Sequence, residues 1–183
     1  MRAILNPGDE VIVHEPCYVS YKPAVELAGG TAVAVSTKHE DRFRLKADEV
    51  RAAITPRTKA ILLAFPTNPT GAIMEREDLE AIAKLVRGTD ILVISDEIYA
   101  ELTFNGKKHI SIASLPGMRE RTVVLNGFSK AFSMTGWRLG YAAGPLEIIA
   151  AMRKVHQLMM LCAPTPAQWA GIAALEDGFK DDF

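Results

Sequence analysis

Cysteine is scarce in this chain. Only Cys17 and Cys162 occur among 183 residues, and they form no CxxC pair. That excludes a disulfide-built secreted scaffold and makes a reduced, cytoplasmic protein the expectation. The four histidines, His14, His39, His109 and His156, show no metal-ligand spacing, so no metal is expected. Neither sign of charge dominates: 21 Lys and Arg stand against 22 Asp and Glu, a net charge of −1. Nothing in that balance points to nucleic acid or to an anionic membrane surface. No uncharged apolar run reaches the ~18 residues of a membrane span. The opening MRAILNPGDEVIVHEP has too short an apolar run for a signal peptide. Internal repeats, low-complexity tracts and Gly/Ser linkers are also missing.

What is there is a core-forming composition, 49% hydrophobic and 23% charged, at a length that suits one domain. Apolar runs alternate with helical patterns. The spacing predicts strands over 10–15, 31–36, 59–65, 90–96, 122–126 and 138–144. KAILLAF and DILVISD are apolar on both faces, as buried parallel strands are. Helices are expected over 19–28, stopped by Gly29-Gly30, over 46–54, with Pro56 just beyond, and over 75–86. In the last of these Leu79, Ile82, Ala83 and Val86 share one side. Two more, 145–160 and 164–176, each carry a proline in the first turn. Strand and helix in alternation predict an α/β fold, a three-layer αβα sandwich around a mostly parallel sheet. The chain opens on AILNPGDEVIV, read as a helix end, a turn and a strand, and stops at ALEDGFKDDF. A sheet incomplete at both ends, in a piece of a longer protein, is the expectation.

In such sheets ligands gather at the carboxyl ends of the strands. After 59–65 comes PTNPTG, which turn chemistry explains as readily as function. After Asp90–Ser95 come Asp96 and Glu97, with Tyr99 three residues past Asp96. An aspartate there is either a helix N-cap or a carboxylate held at low dielectric to pair with a cation. After 122–126 comes NGFSKAFSMTGWRLGY, with Lys130 and Arg138. Together these residues have a chemical logic. A lysine in a dry pocket can form a Schiff base. A carboxylate can keep a pyridine nitrogen protonated and make the ring an electron sink. A tyrosine and an asparagine can both bond a phenolate oxygen, and an arginine grips phosphate. Ser129 and backbone amides at a helix start could complete a phosphate cup. This is the donor set that pyridoxal 5'-phosphate needs.

FPTNPTG, SDEIYAEL and NGFSKAFSMTGWRLGY, in that order, resemble the fold-type-I pyridoxal-phosphate aminotransferases of class I/II, in the aspartate aminotransferase-like branch. The likeness runs from NPGDEVIV to the last helices. It implies that residues 1–183 are the central part of the large, cofactor-binding domain, without the N-terminal segment and the C-terminal small domain of family members. Lys130 then resembles the lysine that carries the cofactor as an internal aldimine and shuttles a proton between Cα and C4′. Asp96 resembles the partner of the ring nitrogen, and Tyr99 with Asn68 the pair on the ring oxygen. Arg138 resembles the phosphate arginine, with Ser129 beside it, and Tyr18 the aromatic that stacks on the ring. Trp137 is read as structure near the site. His109, His156 and QLMML are given no role.

The resemblance implies transamination between an L-amino acid and a 2-oxo acid, of aspartate or aromatic type, in a homodimeric full-length protein. Its partners would be small-molecule substrates, not nucleic acid or a membrane. The arginine that clamps the substrate carboxylate in family members has no counterpart here. A β-eliminating C–S lyase of the same fold stays open, as does an aminotransferase-like sensing domain of a transcription regulator.

Overall fold

The computed structural model describes residues 1–176. The chain runs β1 (Glu10–Glu15), α1 (Tyr21–Glu26), β2 (Thr31–Ser36), α2 (Ala47–Ala53), β3 (Thr58–Ala64), α3 (Arg76–Val86) and β4 (Leu92–Asp96). Then follow β5 (Thr122–Gly127), β6 (Gly140–Ala143), α4 (Leu146–Met159) and α5 (Thr165–Glu176). The six strands form one sheet in the order β2-β1-β3-β4-β5-β6. All neighbours are parallel except β5 and β6, which pair antiparallel, with Gly127 opposite Gly140.

Alternation along the inner strands splits the core in two. Ile12, Ile61, Leu63 and Val93 face one side, with Val50 of α2 and Leu79, Ile82, Ala83 and Val86 of α3. Val11, Val13, Ala60, Leu62 and Ile94 face the other, with Val25 of α1. Each such fully buried Ile or Val contributes about 1.5–3 kcal/mol. α3 keeps its predicted face because its start is fixed: Glu75 and Asp78 form a reciprocal capping box. α1 is shorter than the expected 19–28, and Pro23 falls inside its first turn. α4 buries none of its residues, and Leu146, Leu158, Met159 and Met160 are exposed. α5 seats Ala167 and Gly171 inward, Gly171 against Phe128 and Leu139.

His14 is wholly buried in β1. Its ring stacks on Phe65 with centroids 4.6 Å apart, and its Nε2 accepts from Ala64 N at 3.2 Å. Burial drives its pKa down from 6.5 to about 4, against the opposing bonds to Pro16 and Ala64. The folded state therefore binds fewer protons than the unfolded one between those values. Stability is full above 6.5 and is lost as pH falls toward about 4. The whole window is worth about 3 kcal/mol. His14→Gln keeps an acceptor for Ala64 but does not titrate. The urea midpoint of the variant should fall less steeply than wild type between pH 7 and 4, and parallel slopes would contradict the assignment.

Candidate active site

Three adjacent strands, β3, β4 and β5, end side by side. Beyond β3 the chain folds back on itself. Thr67 Oγ1 donates to Ala64 O at 2.7 Å, Thr67 N to Ala72 O at 2.9 Å and Gly71 N to Thr67 O at 2.7 Å. Gly71 takes φ +70°, which a side chain would resist. Asn68 is left exposed at the tip of this loop.

Asp96 ends β4. Its Oδ1 accepts from Ile98 N at 3.1 Å and its Oδ2 from Tyr21 Oη at 3.0 Å. No α-helix follows before β5, which removes the helix N-cap as one of the two readings of Asp96. The segment is a series of turns, with Ala100 N donating to Glu97 O and Leu102 N to Tyr99 O, both at 2.9 Å. Asp96 caps the first turn as an Asx residue does. Burial pushes its carboxyl above the ordinary value, and the bonds from Ile98 and Tyr21 offset part of that rise.

Glu97 points the other way, into the core. Ser95 and Ser111 hydroxyls donate to its Oε1 at 2.8 and 2.6 Å, and His109 Nε2 lies 2.9 Å from Oε2. Burial acts to raise this carboxyl, but His109, Ser111 and Ser95 outweigh it and hold it below its usual value. The pair staples the 98–111 excursion, which carries Tyr99, onto β4. Glu97→Ala would strand three polar partners and should destabilise the fold by about 2 kcal/mol in chemical denaturation. An unchanged midpoint would refute the staple. Its stabilisation is present above the ordinary value of 4.5 and disappears as pH falls through its lowered folded value.

Lys130 sits on a tight loop after β5. Phe128 N donates to Leu139 O at 3.2 Å, and Phe132 N and Met134 N both return to Phe128 O, at 3.2 and 3.3 Å. The expected helix start at Ser129 is corrected: this is a closed turn, held by Leu139 from the next segment. A Cβ on Gly127 would lie 2.9 Å from Leu139 O and 3.0 Å from Gly140 Cα, so the crossing of the two segments needs glycine. Lys130 Nζ stands 5.6 Å from the centre of the Tyr99 ring. Arg138 has φ +54°, donates from Nη1 to Thr135 O at 2.9 Å and is exposed.

These ends open on one cavity of about 510 Å³. All seven sequence-predicted residues line it: Tyr18, Asn68, Asp96, Tyr99, Ser129, Lys130 and Arg138. Tyr18 is 46% exposed and so is not a core tyrosine. Trp137 lies outside this lining and is half exposed. Sequence reasoning missed Tyr21, Asn126 and Thr135, which also line it. For Tyr21 a signal existed: CYVSY places two tyrosines three residues apart, on one side of a turn. In the structure their rings meet edge to face with centroids 5.7 Å apart.

The family model for aminotransferase class I and II matches residues 1–182. The chain belongs to this family. Among its class I and II relatives, the aspartate aminotransferase of Pyrococcus abyssi is 48% identical over 177 residues, 97% of this chain and 46% of its own length. The aromatic-amino-acid aminotransferase 2 of Thermococcus litoralis is 44% identical, over 97% of this chain and 46% of its own length. The crystal structure of an aromatic aminotransferase from Pyrococcus horikoshii superposes with a TM-score of 0.93 at 48% identity, covering 96% of this chain and 47% of that one. The αβα architecture is thus that of aminotransferases, and the chain spans about half the length of the curated relatives it matches.

Proposed function

We propose that this chain carries the cofactor site of a pyridoxal-phosphate-dependent aminotransferase. It would move an amino group between an L-amino acid and a 2-oxo acid, of aspartate or aromatic type. The observation that carries this reading is the convergence on one cavity of Asn68, Asp96, Tyr99, Lys130 and Arg138 from three neighbouring strand ends. Relatives named for aspartate and for aromatic amino acids support the substrate class. Residues 1–183 then form part of the cofactor-binding large domain of a cytoplasmic homodimer. Among the described residues no helix is long and apolar enough to cross a membrane.

The donor set fits the group. The cavity has the size of a small-molecule site. Arg138 and Ser129 supply a fork and a hydroxyl for the phosphate. Asp96 supplies the acceptor for the ring nitrogen, Tyr99 and Asn68 donors for the ring oxygen, and Tyr18 a face for the ring. When bound, pyridoxal phosphate supplies an aldehyde that condenses with amines and a protonated ring that accepts an electron pair. Lys130 Nζ holds the cofactor and moves the proton at the substrate Cα as general base. Asp96 would lie opposite the ring nitrogen, and its negative charge would favour that nitrogen in its protonated form.

The test is direct. The protein is mixed with pyridoxal phosphate, its visible absorbance recorded, and the mixture reduced with borohydride and mapped by peptide. A band that vanishes on reduction, with the adduct on Lys130, is the expected result. No adduct, or one on another lysine, would sink the reading.

A further inference from the structure

The cavity holds a tyrosine that the chemistry above does not use. Tyr21 opens α1, 75 residues from Asp96, yet its hydroxyl donates to Asp96 Oδ2 at 3.0 Å. We propose that Tyr21 is a positioning residue, whose O–H fixes the Asp96 carboxylate in place as the acceptor for the ring nitrogen of the bound cofactor. This rests on the pyridoxal-phosphate reading.

Two bonds hold the Asp96 carboxylate, and they differ in kind. Ile98 N belongs to the same turn and holds Oδ1 locally. Tyr21 reaches Oδ2 from another layer of the fold and so sets the carboxylate plane relative to α1. Each oxygen has two lone pairs, so one acceptor direction on each stays free for a cation. Tyr18, next to the cavity, packs edge-on against the Tyr21 ring, and Tyr21 N donates to Tyr18 O at 3.2 Å. One short stretch therefore links the proposed ring-stacking residue to the proposed ring-nitrogen partner.

The electrostatics run the same way. Burial raises the Asp96 carboxyl and the charge of Glu97 adds to that, while Ile98 and Tyr21 oppose it. Removing the phenol deletes one of the two opposing donors, and the buried carboxyl then protonates more readily. A protonated carboxyl is no counter-ion for a pyridinium. The phenol is a dependable donor, because burial and the Asp96 charge push its own ionisation far up. The titratable groups that share the site with Asp96 are Tyr18, Tyr21, Tyr99, Lys130 and Arg138, with Glu97 behind it.

Tyr21→Phe keeps the ring and removes only the hydroxyl. The Asp96 carboxyl is followed by ¹³C NMR titration in wild type and variant without cofactor, and cofactor affinity is measured at pH 7. The expected result is an upward move of the Asp96 titration and about tenfold weaker cofactor binding. In an Asp96→Asn background, Tyr21→Phe should cost little further affinity. An unmoved Asp96 titration beside normal cofactor binding overturns the role of Tyr21 alone, as does an undiminished tenfold loss in the Asp96→Asn background. Failure of wild type to take the cofactor on Lys130 overturns the cofactor reading, and with it any role toward the ring nitrogen.

Discussion

Lys130→Ala should lose covalent attachment of pyridoxal phosphate entirely, and turnover should fall by roughly 10⁴- to 10⁶-fold, as when other enzymes lose the nucleophile that defines their mechanism. The size of the effect follows from the double role of one amine. It anchors the cofactor, and it moves the proton at the substrate Cα. Lys130 lies on a loop closed by Phe128, Phe132 and Met134, so the side chain is replaced without disturbing the backbone bonds that shape the turn. Asp96, Arg138, Ser129 and Asn68 remain along the cavity wall in the variant. Reversible cofactor binding should persist in part, which separates loss of chemistry from loss of the site. The measurement is the borohydride-stable adduct by mass spectrometry, beside equilibrium dialysis of the cofactor. An adduct still found in the Lys130→Ala chain would mean that another lysine carries the function.

The sheet was legible because its signals are local. β1 and β2 occupy the expected 10–15 and 31–36, each set off by a turn just before it, Pro7-Gly8 and Gly29-Gly30. α3 shows its buried face in sequence, since the helical period acts within a few residues; its Glu75–Asp78 capping box emerges only in the structure. The site was legible for a related reason: each of its predicted residues follows a recognisable strand, and parallel neighbours bring successive strand ends together. What was not legible depends on partners far along the chain. The loop after β5 reads as a helix start, but Leu139 O, eleven residues beyond Phe128, takes the Phe128 amide and closes a turn instead. For Asp96 the sequence leaves a helix N-cap open beside a carboxylate held at low dielectric; in the structure the carboxylate caps a turn and its second oxygen accepts from Tyr21. Residues 75 apart meet only after β1, β3 and β4 have stacked. The methionine-rich end of α4, open to either core or surface in the sequence, is exposed because α4 turns no side chain into either half of the core.

Asp96→Asn is the second large effect. The amide is nearly isosteric, and its oxygen can still accept from Ile98 N or Tyr21, so the fold around it should survive. What it cannot do is carry a negative charge opposite a protonated ring nitrogen. The ring would then hold its proton weakly at neutral pH, and its power to accept the electron pair from the substrate Cα would drop. Turnover should fall by roughly 10²- to 10⁴-fold, the range seen when one preorganised charge is removed from a developing charge. Cofactor affinity should fall far less, because Lys130, Arg138 and the Tyr99–Asn68 pair are untouched. That split is the test. Single-turnover rates for the amino-acid half-reaction are compared with cofactor dissociation constants for wild type and variant. A rate within a fewfold of wild type would show that the charge of Asp96 is not what activates the ring. Equal losses in rate and affinity would make Asp96 a binding residue and no more. The raised carboxyl value of the cofactor-free site sharpens the expectation. Burial favours the protonated acid there, so stability contributed by that form falls as pH rises from the ordinary 3.8 through the raised value. A carboxyl kept at that cost to the empty fold gains its return only when a cation arrives beside it, and Asp96→Asn should therefore leave the cofactor-free protein as stable as wild type, or more so, at pH 7.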